Sequence, residues 1–547
     1  MDSISELKKR ILGDVLADDE TRTRFSHDAS IFEMKPSVVV YPKNVNDVKE
    51  LVRYVAEKKK GNPSLSLTAR SAGTCMSGGP LTTSISVVCT TYMNAVGEIS
   101  QNRVTAEPGA YYRDFEKKTL AKGLILPSFP ASRELCAMGG IVSNNSGGEK
   151  NIQYGKTERY VTRLWAVFAD GNEYEIKPLS GPELEKKLAL HTFEGDAYRK
   201  ISSLIMENFE RIKRAKPAVS KNSAGYALWN VWNPDTRIFD LTKLFVGSQG
   251  TLGIITKAEF RLVPVKKYSK MIVIFLPNID LLSELTATIL PHKPESYEAY
   301  DDHTLKLALK FFPSFAKLLG AKNVLSIAWS FLPELMLFFK GGMPKLILQA
   351  EFAGDDETEV EKNVDRLTQE ITSYKIPFRV TTSEKDVLKY KLIRRESFNL
   401  LRNRIKDRHT APFIDDFVVN PEKLEEFLPK LNEILSHYDL IYTIAGHMGD
   451  GNFHIIPLMN FRDAKQRAII PELSEKVYDL VFQYGGSMTG EHNDGLIRGP
   501  FLKKMFGEDI YRLFVETKRI FDPQNIFNPH KKVDVDMNYS LSFIRKD

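Results

Sequence analysis

At 547 residues, 42% apolar and 27% charged, the chain is long enough for two or three domains with ordinary globular cores. Its net charge of +6, from 76 basic and 70 acidic residues, is mild and forms no Lys/Arg stripe, which argues against nucleic acid as a partner. Three cysteines, Cys75, Cys89 and Cys136, without a C-x-x-C pair, exclude a disulfide scaffold, a Cys-based zinc site and a Cys-ligated iron–sulfur cluster. That usage fits a reducing, cytoplasmic setting, and the start MDSISELKKRILGDVLADDE lacks the apolar core of a signal peptide.

In chain order, Ser37–Pro42 reads as a strand stopped by proline. Asn46 then caps a helix whose stripe is Val48, Leu51, Val52 and Val55. Ser64–Ala69 is a second strand, followed by a Gly/Ser loop over residues 70–79. Val104–Gly109 is a strand and turn, and Tyr112–Gly123 a helix. A long loop dense in Gly, Asn, Ser and Pro occupies residues 126–161, and Leu164–Gly171 closes the unit with an Asp170-Gly171 hairpin signal. Phe245–Thr256 is a strand with Gly-rich turns, and the domain boundary falls near Pro264. Strands and amphipathic helices then alternate to about residue 440. Within them, residues 305–348 hold an apolar run, Val324–Phe339, flanked by lysines. It reads as a buried helix pair or as a basic amphipathic element lying peripherally on the inner face of an anionic membrane.

The loop Arg70-Ser71-Ala72-Gly73-Thr74-Cys75-Met76-Ser77-Gly78-Gly79 lets the backbone approach an anion closely. Gly139-Gly140 and Gly147-Gly148 bracket Ser143-Asn144-Asn145-Ser146 and offer donors to a polar ring edge. No G-x-G-x-x-G opens a helix, and Gly155-Lys156-Thr157 lacks the upstream glycine of a phosphate loop. The ordered set R-S-x-G-T, E-P-G, G-G-x-x-x-N-N-S-G-G, Y-G and F-V-G-S-x-G-T-L-G-I-I-T resembles the FAD-binding domain of the vanillyl-alcohol oxidase (PCMH) type.

That resemblance implies an α+β protein. Residues 1–264, with a core of about 30–264, would form an FAD-binding domain of two α/β subdomains. Residues 265–500 would form a substrate domain with an antiparallel sheet and a metal site, and 501–547 would pack back on the first domain. The implied FAD lies with its pyrophosphate against Ser71, Ala72, Gly73, Thr74 and Gly78, and its isoalloxazine near Asn144–Gly148. Pro42, Arg70, Ser77, Pro108, Gly109, Pro127, Ser132, Met138, Gly139, Gly140, Ser143, Asn145, Gly147, Tyr154, Gly155, Gly247, Gly250, Thr251, Gly253, Ile254 and Asn528 would line it elsewhere. Thr74 stands where covalently flavinylated relatives carry histidine, so a non-covalent flavin is expected. Gln249 stands where the family often has Glu.

Ile441–Leu458 reads as a hairpin about Asp450-Gly451. Counting outward from a two-residue turn sets His447 directly opposite His454, with Cβ atoms about 4.5–5.5 Å apart. That suits two nitrogens binding one ion at about 2.0–2.1 Å. Glu491 and His492 lie in a later Gly-rich turn; on extended backbone they point apart, so that one ligates and the other faces substrate. H-M-G-D-G-N-F-H, G-E-H-x-x-G and F-D-P-Q-N-I-F-N-P resemble FAD-linked D-lactate, glycolate and D-2-hydroxyglutarate dehydrogenases. The resemblance implies His447, His454 and Glu491 as ligands of a divalent metal (Zn²⁺ first, Mn²⁺ or Fe²⁺ next) and His492 as the base. Arg394 and Arg395, within KLIRRESFNLLRNRI, match the family's substrate-side arginine motif. Ile414, in PFIDDFVV, stands where 2-hydroxyglutarate enzymes often carry Lys, which favours a D-lactate-like substrate over a dicarboxylate. Electrons would leave to a partner protein, a quinone or oxygen. Two other readings stay open: a flavoenzyme like alkylglycerone-phosphate synthase, and a non-catalytic flavin electron-transfer subunit.

Overall fold

The computed structural model describes residues 3–302, 304–306, 342–383, 386–394 and 407–547. The expected first strand forms over Val38–Tyr41, and its three valines are buried. The following helix, Val45–Lys58, is capped by Asn44 rather than Asn46: the Asn44 side chain accepts from the backbone N–H groups of Asn46 and Asp47. Its buried stripe is the expected Val48, Leu51, Val52 and Val55, each contributing about 1.5–3 kcal/mol of apolar burial. Val38–Tyr41 pairs in parallel with Ile85–Val88, which pairs in parallel with Leu67–Arg70; Asp14–Leu16 adds an antiparallel edge. At the other edge the chain returns from far away, with Leu67 bridging Phe527.

A second, antiparallel sheet orders Arg103–Ala106, Ile254–Arg261, Val161–Val167 and Glu173–Ile176. Against its core pack Phe193–Glu207 and the helical run Leu502–Phe521, whose Phe521 ring meets Phe168 and Phe245 edge-on. The helical run Leu502–Phe521 thus lies on the first half of the molecule, while Val535 and Ile544 enter the core of the second.

The second half is a seven-stranded antiparallel sheet, ordered Phe378–Val380, Tyr268–Leu276, Leu346–Gly354, Ser296–Asp301, Ile444–His447, Asn452–Ile455 and Phe417–Val418. Helices Leu282–Ile289, Glu357–Thr372, Leu424–Ser436 and Ala464–Gln483 pack into a core with Ile272, Ile274, Tyr297, Ala299, Leu348 and Ala350. Because side chains alternate along a strand, Glu298 and His447 face the other way, toward the first half. Of the segment that holds the lysine-flanked apolar run, 307–341 lie outside the described residues; Leu346–Leu348 open a buried central strand. No helix among the described residues is long and apolar enough to cross a membrane.

Candidate functional site

The hairpin forms, but its register differs from the one counted from a two-residue turn. Ala445 pairs with His454, and His447 with Asn452. Met448–Asp450 winds into a short 3₁₀ turn closed by Gly451 at φ 64°. The Asp450 carboxylate is drawn across to the first half of the chain, accepting from Asn151 (2.7 Å) and Ser220 (2.6 Å). A slip of one residue would have sent one imidazole to the opposite face; a slip of two keeps both on one side. The rings of His447 and His454 therefore still meet, with centroids 5.2 Å apart.

Three imidazoles converge on one oxygen. The Nε2 atoms of His447, His454 and His492 lie 3.3, 3.5 and 3.8 Å from Glu491 Oε1. Glu491 and His492 thus point together, against the expectation that they diverge. Their backbone is not extended but bent around Asp416, whose carboxylate accepts from the N–H groups of both. Asn493 follows at φ 68°.

The Nδ1 atoms are held from behind. His447 meets Glu298 at 2.8 Å, while Asp415 meets His454 at 3.0 Å and His492 at 2.6 Å. An ionised carboxylate only accepts, so each Nδ1 presents its hydrogen to the acid behind it, and each Nε2 is turned toward Glu491. This is the arrangement that orients histidine ligands in metal centres. Glu491 Oε2 pairs with fully buried Lys221 at 3.0 Å. Burial works against the charged form of Glu491, yet Lys221 and His447 hold it well below the usual carboxylate range. Burial likewise lowers His492, but Asp416 and Asp415 outweigh it and raise the group to about 9. Asp416, His454, Glu491 and His492 also bring ligand atoms within 4.8 Å of one another. Asp416, however, spends both oxygens on Glu491, His492, Thr489 and Asn452, which makes it a brace. The donors that fit a divalent cation are the Nε2 atoms of His447 and His454 and the Glu491 carboxylate, with His492 Nε2 beside them.

Of the site residues, sequence reasoning assigned no role to Glu298, Asp415, Asp416 or Lys221. The acidic pair in PFIDDFVV was the one available signal. Arg394 pairs with Glu298, its NH2 lies 3.4 Å from His447 Nδ1, and its Nε is buried without a partner among the described residues. Arg395 lies outside the described residues.

A cavity of about 710 Å³ joins this cluster to the Gly-rich loops. It is lined by Ser71, Ala72, Gly73, Thr74, Pro108, Ser132, Gly139, Gly140, Ser143, Asn144, Gly147 and Gly250, and also by Arg394, His447, His454, Glu491 and His492. A Cβ on Gly147 would stand 3.3 Å from Glu491 Oε2, so the second glycine loop touches the histidine cluster.

Several expected contacts sit in or behind the wall. Arg70 donates to the carbonyls of Phe25 and His27, Asn528 to those of Gly79 and Gln249, and Asn145 to Glu158. Tyr154 reaches Glu295, Thr251 meets Tyr226, and Gly247 N–H bonds to Val142. Gly78 packs under Phe32 and Leu496, Gly109 under Cys89, Gly155 under Arg159 and Gly253 under Val167. Met138 and Ile254 belong to hydrophobic cores, and Pro42 and Pro127 are buried. Gln249 donates to Ser77 (3.1 Å) and Asn144 (3.3 Å) while accepting from Gly495 N–H. A glutamate there could make neither donation.

Gly148 gives one expected result. An added Cβ would lie 2.2 Å from the Phe129 carbonyl oxygen, so backbone must move. Gly148→Ala is expected to destabilise by about 1–3 kcal/mol and to lower FAD retention. Thermal melting and flavin-to-protein absorbance ratios measure both.

Fold, loops and cavity define an FAD-binding protein whose nucleotide-holding first half faces a sheet bearing clustered histidines. Residues 36–177 match the FAD binding domain family, and 265–532 match the C-terminal domain of FAD linked oxidases. The chain belongs to the FAD-linked oxidases. It is 27% identical over 529 residues to D-2-hydroxyglutarate dehydrogenase of Pseudomonas putida, covering 95% of this chain and 50% of that one. It is also 26% identical to glycolate oxidase subunit GlcD of Bacillus subtilis, covering 93% of this chain and 92% of that one. The chain spans about half the length of the first relatives it matches. Among solved structures, alkyldihydroxyacetonephosphate synthase shares the fold, with a TM-score of 0.65 at 15% identity over 97% of this chain and 84% of that one.

Proposed function

We propose that this protein oxidises a D-2-hydroxy acid to the 2-oxo acid, with non-covalent FAD and a divalent metal ion, zinc first. The reading rests on one observation: the three Nε2 atoms and Glu491 open into the cavity that the flavin-type glycine loops line. FAD, when bound, supplies the hydride acceptor, and a cation held by His447, His454 and Glu491 supplies Lewis-acid polarisation of the substrate hydroxyl.

The chain's own residues do the rest. Arg394, which lines the cavity, binds and orients the substrate carboxylate. His492 Nε2 takes the hydroxyl proton while Asp415 holds Nδ1. A cation held by His447, His454 and Glu491 would oppose the two carboxylates that raise His492, and so ready it to accept. Ile414 is fully buried and presents no cation, in keeping with a small D-lactate-like substrate. Reoxidation falls to a partner protein, quinone or oxygen. Residues 305–348, if they meet an anionic bilayer, bring that acceptor close.

Anaerobic D-lactate, glycolate or D-2-hydroxyglutarate is expected to bleach the flavin absorbance of the purified protein. Chelation should slow bleaching at least a hundredfold, and Zn²⁺ or Mn²⁺ should restore it. No bleaching across a panel of 2-hydroxy acids would reject the reading.

A further inference from the structure

The buried acid Asp415 sits where two roles meet. Its Oδ1 lies 3.0 Å from Nδ1 of His454, a proposed ligand, and its Oδ2 lies 2.6 Å from Nδ1 of His492, the proposed base. The two rings are 5.2 Å apart and tilted by 32°, and both turn Nε2 toward Glu491. The acid is not free to swing away. Buried Arg498 donates to the Asp415 carbonyl at 2.7 Å and to the Asn493 carbonyl at 3.0 Å. Asp416, next in sequence, grips the backbone of Glu491 and His492. His447 has its own carboxylate, Glu298. The pairing of one acid with two imidazoles is therefore particular to the ligand and the base.

We propose that Asp415 is a positioning residue that fixes the tautomer and ring orientation of His454 and His492 as one unit. The inference rests on the functional reading given above and adds a residue that touches neither substrate nor cofactor in it. Chemistry makes it sharp. A carboxylate has two accepting oxygens and can hold two Nδ1–H groups. The isosteric amide of Asp415→Asn has one accepting oxygen and one NH₂. Only one ring can then keep its Nδ1–H partner; the other must move its proton to Nε2 or turn, and either change removes its binding end. Lost outer-shell partners of this kind cost about 10–100-fold in metal affinity.

The test uses the full-length, FAD-loaded protein with ¹⁵N-ring-labelled histidine. Signals of the two rings are assigned from His454→Gln and His492→Gln. At a pH where both rings are neutral, the metal-free wild type should carry a proton on both Nδ1 atoms, and Asp415→Asn on only one. Titrated Co²⁺ should bind the variant 10–100-fold more weakly than the wild type, with an altered visible spectrum, at unchanged flavin content. Wild-type rings with a bare Nδ1 overturn the proposal, even if the variant fails to fold. So does an Asp415→Asn protein that keeps both Nδ1 protons and binds Co²⁺ within twofold of wild type. A wild type that keeps both Nδ1 protons yet binds no Co²⁺ instead rejects the metal reading and leaves the role of Asp415 standing.

Discussion

Glu491→Gln is expected to slow anaerobic flavin reduction by a D-2-hydroxy acid roughly a thousandfold, about 4 kcal/mol of lost charge stabilisation. Among the described residues Glu491 is the one carboxylate at the focus of the three Nε2 atoms, so its amide removes the anionic donor facing them. The same change leaves Lys221, fully buried, with Asp450 at 3.6 Å as its remaining acidic partner. Breaking a buried pair typically costs about 3–5 kcal/mol, so this variant should also melt earlier. His454→Gln separates the two effects, since it removes one donor and leaves the Lys221 pair intact. It should lose metal, measured by elemental analysis, and slow flavin reduction while its melting temperature moves less than that of Glu491→Gln. Stoichiometric metal and wild-type reduction rates in both variants would remove the metal from the mechanism.

His492→Asn should lower the reduction rate about 10²–10⁴-fold while flavin and metal stay bound, because it takes away the proton acceptor and no ligand. The same residue makes a separate prediction for the metal-free protein. His492 is raised to about 9 in the fold, above the ordinary value near 6.5. A group raised on folding adds stability that is full below its unfolded value and is lost as pH climbs through the folded one. The melting advantage of metal-free wild type over His492→Asn should thus be largest below pH 6.5 and fade as pH passes 9. An advantage that grows with pH over that window would contradict the environment assigned to His492.

Much of the site was readable because it is local. Glycines and small residues at 71–78 and 139–148 declare close backbone approach, and His447, His454, Glu491 and His492 cluster in two short Gly-rich stretches. The departures were local too, and each had a competing partner. Asn44 captured the N-terminal N–H groups of the helix before Asn46 could. Asp450 was recruited by Asn151 and Ser220, which opened a two-residue turn into a four-residue one. The two-residue slip did no harm to the metal-type pair because strand faces repeat every second residue.

The sequence by itself determined where the candidate site lies: the Gly-rich loops, the imidazoles, the carboxylate at 491 and the likeness to flavin dehydrogenases. Only the tertiary structure decided who stands behind them. Glu298 reaches His447 because Ala299 pairs with Gly446 across the sheet, Asp415 reaches two histidines across 39 and 77 positions, and Lys221 comes to Glu491 from the other half of the chain. Periodicity and turn chemistry act over a few residues. The supporting acids and the buried lysine are specified by sheet register and by the packing of one half against the other, and those contacts leave no mark at short range.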